Sequence, residues 1–261
     1  VPAIPRCISR PRRVVDAIHM SEHPDRLDEP LTIGILGGMS SASTVEYYRG
    51  IDEGVNRALG GHAAGDLLIR SVNFADIETF IREERWPEAG AYLADAARDL
   101  AAGGADFVVM ATNTMHRIAP QISDAIPVPF VHIVDATADA VLDAGLDTVG
   151  VLGTAVTMAE PFYRERFAAQ GVDVVVPDEQ HHEEIDRVVF EELTRGEVRD
   201  ESREYYLDRI DDLVDAGAEG VVLGCTEIEL LVDQSDRPET PLFDTTAIHV
   251  ERAVEHSLTG F

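Results

Sequence analysis

Two short segments carry the residue types best suited to moving a proton. Met110-Ala111-Thr112-Asn113-Thr114-Met115-His116 follows one apolar run, and Leu223-Gly224-Cys225-Thr226-Glu227-Ile228 follows another. Each places small polar side chains where a buried strand would end and a helix begin. A cysteine there has its thiolate stabilised by the helix dipole and by backbone N–H groups, and a thiolate is a competent base. A threonine hydroxyl is a poor base near neutrality but can donate or relay a proton. Taken singly, Thr112 and Asn113 read as helix caps and Cys225 as a small buried apolar residue. The two segments match, however. Residues 104–112 (GADFVVMAT) align with 217–225 (GAEGVVLGC) at an offset of 113, which favours a shared site.

Other candidates are weaker. Gly34-x-x-Gly37-Gly38 follows a strand but lacks dinucleotide-binding spacing, and the chain has no lysine for a phosphate loop. It reads as a close-packed turn flooring a cleft. His181-His182-Glu183-Glu184 lacks HExxH spacing and reads as an acid-rich helix start rather than a metal cluster. His116 reads as a pocket-tuning or a satisfied structural histidine. Arg164 and Arg166 read as salt-bridged surface residues, with steering of an anionic substrate as the alternative.

The elements that must position these residues alternate. Strand-like runs occupy 32–36, 67–72, 107–110, 130–133, 148–152, 172–176, 220–223 and 242–243, and helical patterns occupy 42–56, 89–102, 161–169, 182–194, 201–216 and 246–258. Continuous Val/Ile/Leu runs joined by helices predict parallel strands buried on both faces, an α/β fold. A second internal match, 32–37 (TIGILG) against 148–153 (TVGVLG) at an offset of 116, brings Tyr47 onto Tyr163. Two matches in the same order predict a duplicated lobe. The expected lobes are 31–134 with 241–261, and 135–240, related by a pseudo-twofold axis. Ligands bind beyond the carboxyl ends of such strands, which places Thr112 and Cys225 across an interlobe cleft.

Composition bounds the setting. The 261 residues carry 21 basic residues, all arginine, against 49 acids, a net charge of −28. That balance excludes a nucleic-acid partner and an anionic membrane surface. Hydrophobic residues at 45% exclude an acidic disordered chain. A lysine-free, carboxylate-rich surface whose self-repulsion salt screens is expected of a halophilic cytoplasm. Cys7 and Cys225 make no disulfide framework, and a reducing compartment fits. Residues 1–30 read as a disordered extension. Residues 1–19 are Arg-rich, and the composition flips at Met20, where translation is expected to begin. Residues 20–261 alone then carry a net charge of −31, and Cys225 is their single cysteine.

The chain resembles the cofactor-independent aspartate/glutamate racemases of the Asp/Glu/hydantoin racemase superfamily over about residues 31–258. The resemblance rests on 35–40 (ILGGMS), 111–116 (ATNTMH), 152–154 (LGT) with Thr157-Met158, 190–193 (FEEL) and 224–228 (GCTEI). It implies two lobes with the active site between them, a homodimer, an amino-acid substrate, and no pyridoxal phosphate or metal. It also implies a base and an acid on opposite faces of the substrate Cα. The family's usual pair is two cysteines; here the pair is Thr112 and Cys225, as in a subgroup that prefers L-amino acids. The implied contacts to the substrate carboxylate and amine are Met39, Asn113, Thr114, Thr226 and Glu227. A further polar contact of the subgroup falls on Ile81; the adjacent Arg82 is the candidate substitute, with an exposed helical arginine as the other reading. Racemisation of aspartate or glutamate is the expected activity. The alternatives are a hydantoin racemase, a maleate isomerase-like enzyme, or a catalytically silent amino-acid-binding relative.

Overall fold

The computed structural model describes Leu27 and residues 29–261. The expectations for residues 1–19, Met20 and Cys7 lie outside the described residues. Leu27 itself donates its backbone N–H to the Leu258 carbonyl at 2.9 Å.

The first half runs β1 (Ile33–Gly37), α1 (Ser41–Leu59), β2 (Leu67–Ser71), α2 (Phe74–Arg82), α3 (Trp86–Gly103), β3 (Phe107–Met110), α4 (Ala119–Ser123), β4 (Phe130–Val131) and α5 (Ile133–Asp143). The second runs β5 (Thr148–Gly153), α6 (Ala155–Ala159), α7 (Pro161–Ala169), β6 (Asp173–Val175), α8 (His182–Arg187), α9 (Asp200–Asp215), β7 (Gly220–Gly224), β8 (Leu242–Asp244) and α10 (Thr245–Thr259). Two four-stranded sheets form, in the orders β2-β1-β3-β4 and β6-β5-β7-β8, with every pairing parallel. The α/β expectation holds, and the two sheets repeat one order.

Strand periodicity divides the core. Successive side chains leave a strand on opposite faces, so β1 gives Ile33 and Ile35 to one side and Leu36 to the other. Ile33 and Ile35 pack with Tyr47 and Ile51 of α1 and with Val250, Ala253 and Val254 of α10. Leu36 packs with Leu93, Ala97 and Leu100 of α3. The second sheet repeats this plan. Val149 and Val151 meet Tyr163 and Phe167 of α7 and Ile133, Val134 and Val141 of α5, and Leu152 shares a cluster with Tyr206, Ile210 and Leu213 of α9. The repeat reaches single atoms. A Cβ on Gly34 would come within 3.3 Å of Leu100 Cβ, and one on the equivalent Gly150 within 2.9 Å of Leu213 Cβ. Both helices lie so close to their strand that only glycine fits.

Each half covers its inner face with the other half's last helix. Helix α5 closes the first half in sequence but packs on the second sheet, and α10 closes the second half but packs on the first. Strand β8, which the sequence reading joined to the first lobe with 241–261, pairs instead with β7 of the second sheet.

Two expectations change. The apolar run at 130–133 ends as a strand at Val131, because His132 Nδ1 accepts the Val134 N–H and starts α5. The single helix expected over 182–194 is three pieces: α8, a π-turn at Val188–Glu192 and a 3-10 turn at Leu193–Arg195. Glu192, almost fully buried, accepts from Arg187 (2.7 Å), Arg199 (3.2 Å) and Ser202 (2.6 Å), and these bonds hold the chain out of the α-helical register. Among the described residues no helix is long and apolar enough to cross a membrane.

Candidate active site

Thr112 and Cys225 sit at equivalent places, two residues beyond β3 and one beyond β7, and both are buried. They come from opposite sheets and line one cavity of about 140 Å³. A cavity of about 150 Å³ takes a molecule the size of benzene, so this one suits a small molecule and not a nucleotide. Neither residue starts an α-helix. The segments that follow are 3-10 turns, Thr114–Ile118 and Ile228–Leu230. The expected helix dipole at Cys225 is therefore absent. Burial and the Glu227 carboxylate push the Cys225 thiol well above its ordinary pKa, so the expected stabilised thiolate is also overturned.

The loops instead present hydrogen-bonding groups. Among the described residues, the backbone N–H groups of Asn113, Thr114 and Thr226 make no hydrogen bond and remain open to an anion. Cys225 Sγ donates to Glu227 Oε2 at 3.2 Å, as does Thr226 Oγ1 at 2.6 Å. Ser40 Oγ, from the first half, donates to Glu227 Oε1 at 2.9 Å. Ser43 Oγ meets Thr226 Oγ1 at 2.6 Å. On the equivalent side, Thr114 Oγ1 meets Thr154 Oγ1 at 3.1 Å. Ser40 and Thr154 cap α1 and α6, the helices that follow β1 and β5. Each half thus reaches from the second residue past its reactive position to a helix cap in the other.

Asn113 is occupied. Its Nδ2 donates to Thr245 Oγ1 at 3.0 Å, and its Oδ1 accepts from the Tyr163 hydroxyl at 2.9 Å. Its side chain ties the Thr112 loop to the second half, which leaves the backbone N–H for a ligand. His116 is a satisfied structural histidine. Its Nδ1 donates to the Thr112 carbonyl at 2.8 Å and its Nε2 accepts the Ile133 N–H, while burial and two neighbouring histidines hold its pKa well below the ordinary value.

Met39, Thr112, Asn113, Thr114, Cys225, Thr226 and Glu227 all line the cavity. Arg82 does not: it is exposed on the last turn of α2, while Ile81 faces the cavity. Consecutive helical residues diverge by about 100°, so Arg82 cannot replace its neighbour. Sequence reasoning missed Ser40 and Asp186, which also line the cavity; Asp186 Oδ1 accepts the Ala155 N–H at 2.7 Å. The capping position just after β1 could have flagged Ser40; nothing local marks Asp186.

The other candidates lie elsewhere. His181 pairs with the Tyr205 hydroxyl and His182 with the Pro177 carbonyl. Among the described residues no group of three or more His, Cys, Asp or Glu is placed to hold a metal. Arg166 is paired with Asp135, and Arg164 is exposed.

The family model for Asp/Glu/hydantoin racemases matches residues 36–253. Among solved structures, one from Yersinia pestis, provisionally assigned as an Asp/Glu racemase, is 40% identical. It covers 87% of this chain and 99% of that one, with a TM-score of 0.82. An aspartate racemase homologue from Pyrococcus horikoshii OT3 is 34% identical, with coverage of 87% and 98% and a TM-score of 0.75. The broad specificity amino-acid racemase RacX of Bacillus subtilis (strain 168) is 23% identical over 218 residues, 82% of this chain and 93% of that protein.

Proposed function

The chain belongs to the Asp/Glu/hydantoin racemase family, and on that premise we propose that it racemises an amino acid without a cofactor, using Cys225 and Thr112. The observation that carries this reading is that two equivalent loops, one from each sheet, bring a thiol and a hydroxyl to one small cavity. Inverting a carbon centre needs proton transfer on two faces, and a site built from two opposed halves supplies two.

Cys225 takes the α-proton of the L-isomer, and Thr112, or a water it holds, returns one on the other face. The open N–H groups of Asn113, Thr114 and Thr226 receive the α-carboxylate and offset the enolate-like charge that develops. The resting thiol is protonated and donates its hydrogen bond to Glu227 Oε2; on activation its proton leaves to water. Bound against Glu227, the substrate ammonium cancels the charge that keeps the thiol protonated, which couples binding to activation. The enantiomers have equal free energy, so kcat/KM is equal in the two directions whatever the asymmetry of the pair. Aspartate and glutamate are the substrates the resemblance implied. Among the described residues the cavity has groups for their α-carboxylate and amine but no cation for their second carboxylate. A homodimer is part of the same reading.

The test is exchange of the Cα proton of L-amino acids in D₂O, followed by ¹H NMR in molar KCl. Exchange with inversion is expected from the intact chain and none from Cys225→Ala. Exchange retained in that variant would remove Cys225 from the mechanism. Binding without any exchange would favour a silent amino-acid-binding relative.

A further inference from the structure

We infer that the cavity takes an amino acid with an uncharged aliphatic side chain rather than aspartate or glutamate, a specificity that rests on the racemase reading above. Among the described residues nineteen line the cavity, none of them an arginine or a histidine, and the chain has no lysine. Its two charged groups, Glu227 and Asp186, are both acidic. A second substrate carboxylate would be desolvated with no cation to receive it, beside groups of its own sign.

Two arginines near the cavity are committed elsewhere, and a third lies outside it. Arg117 is paired with Glu160 at 3.1 Å and stacked over Trp86 at 4.0 Å. Arg187 is held by Glu184 and Glu192, both at 2.7 Å. Arg82 is exposed and outside the lining.

The lining is also sorted by position. Hydrogen-bonding groups concentrate on the loops past β1, β3, β5 and β7, where the α-carboxylate and amine belong. The rest is largely apolar. Phe74, Ile77 and Ile81 come from one face of α2, at helical spacing, with Val156 from α6 and Val189 and Phe190 from the π-turn. Burying a methylene against such a wall is favourable, whereas burying an unpaired carboxylate is costly. Asp186 stands in this region, but its carboxylate holds the Ala155 N–H that opens α6, and a basic side chain would have to share it.

A panel of L-leucine, L-methionine, L-aspartate, L-glutamate and L-lysine, assayed by Cα exchange in D₂O with molar KCl, decides the matter. Leucine or methionine is expected to exceed aspartate and glutamate at least tenfold in kcat/KM. Ile81→Arg is expected to raise glutamate at least tenfold relative to leucine. Aspartate or glutamate as the best substrate overturns the inference, and so does lysine. If no amino acid exchanges, the racemase reading fails first, and the thermal midpoint then judges the specificity alone. An upshift with leucine and none with aspartate sustains it; the reverse, or no upshift at all, overturns it.

Discussion

Cys225 Sγ lies 3.2 Å from Glu227 Oε2, so the reactive thiol spends its proton on a carboxylate two residues away. Burial, then the Glu227 charge, raises its pKa. Glu227→Gln removes the charge and keeps the shape. The pH midpoint of Cys225 alkylation by iodoacetamide is expected to fall in that variant, while kcat/KM for Cα exchange drops at least tenfold. An unchanged alkylation midpoint would break the proposed coupling.

Thr112 and Cys225 are expected to fail differently. With Cys225→Ala, Cα exchange and inversion both stop. With Thr112→Ala, the thiol still removes and returns the proton of the L-isomer, so exchange with retention persists while inversion falls about a hundredfold, within the range typical of one acid–base group. Thr112→Cys is expected to make kcat in the two directions more alike. Loss of exchange in Thr112→Ala would mean that the hydroxyl does more than return a proton.

Tyr163→Phe leaves the buried Asn113 Oδ1 without its donor. An unsatisfied buried acceptor costs about 1–3 kcal/mol, and the urea midpoint should fall accordingly. Asn113 ties the Thr112 loop to the second half, so kcat should fall as well. A midpoint equal to that of the parent chain contradicts the assignment.

Gly38 adopts φ +93, and a Cβ there would stand 2.3 Å from the Val72 carbonyl oxygen. Gly38→Ala is expected to cost more than the ~1 kcal/mol of a simple left-handed penalty, because backbone rather than a flexible side chain blocks the space. Since Met39 and Ser40 follow directly, activity should fall with stability.

His116, His132 and His249 cluster, with ring centroids 4.5 Å apart for His116–His132 and 6.0 Å for His116–His249. Burial lowers all three, His132 to about 4 and His249 to about 3, from an ordinary 6.5. The unfolded chain therefore takes up protons near pH 6.5 that the folded chain refuses. The stability these neutral rings contribute is complete above that pH and is lost as pH falls towards 4 and 3. Each unit of depression is worth about 1.4 kcal/mol. The urea midpoint at fixed salt should decline between pH 7 and 5.5, above the range where carboxylates titrate. A flat midpoint there would contradict the coupling.

Most of the fold was legible, because its strands are uninterrupted apolar runs and its long helices keep their period. All eight strands among the described residues lie within a few residues of the expected runs. Helix α2 was missed although α7, of the same nine residues, was found, because α7 has Pro161 to mark its start and α2 has no such signal; α5 was missed because histidine is an unusual cap. The π-turn was invisible because its cause, Glu192 reaching Arg199 and Ser202, is set by tertiary contacts. At the site, the repeat exposed the Thr112 and Cys225 loops, and the motifs supplied Asn113, Thr114, Thr226 and Glu227. Occupancy was not legible. Whether the Asn113 amide is free depends on Tyr163 and Thr245, 50 and 132 residues away, and whether the Cys225 thiol is acidic depends on its burial and on how the loop turns Glu227 against it.

The exchange of α5 and α10 between the halves has a consequence for ancestry and for dissection. A lone half would expose the sheet face that its counterpart's terminal helix now covers. An unduplicated ancestor would have had to trade that helix with a second copy, as a domain-swapped pair. The present chain holds that exchange within one polypeptide, and neither half should be recoverable alone.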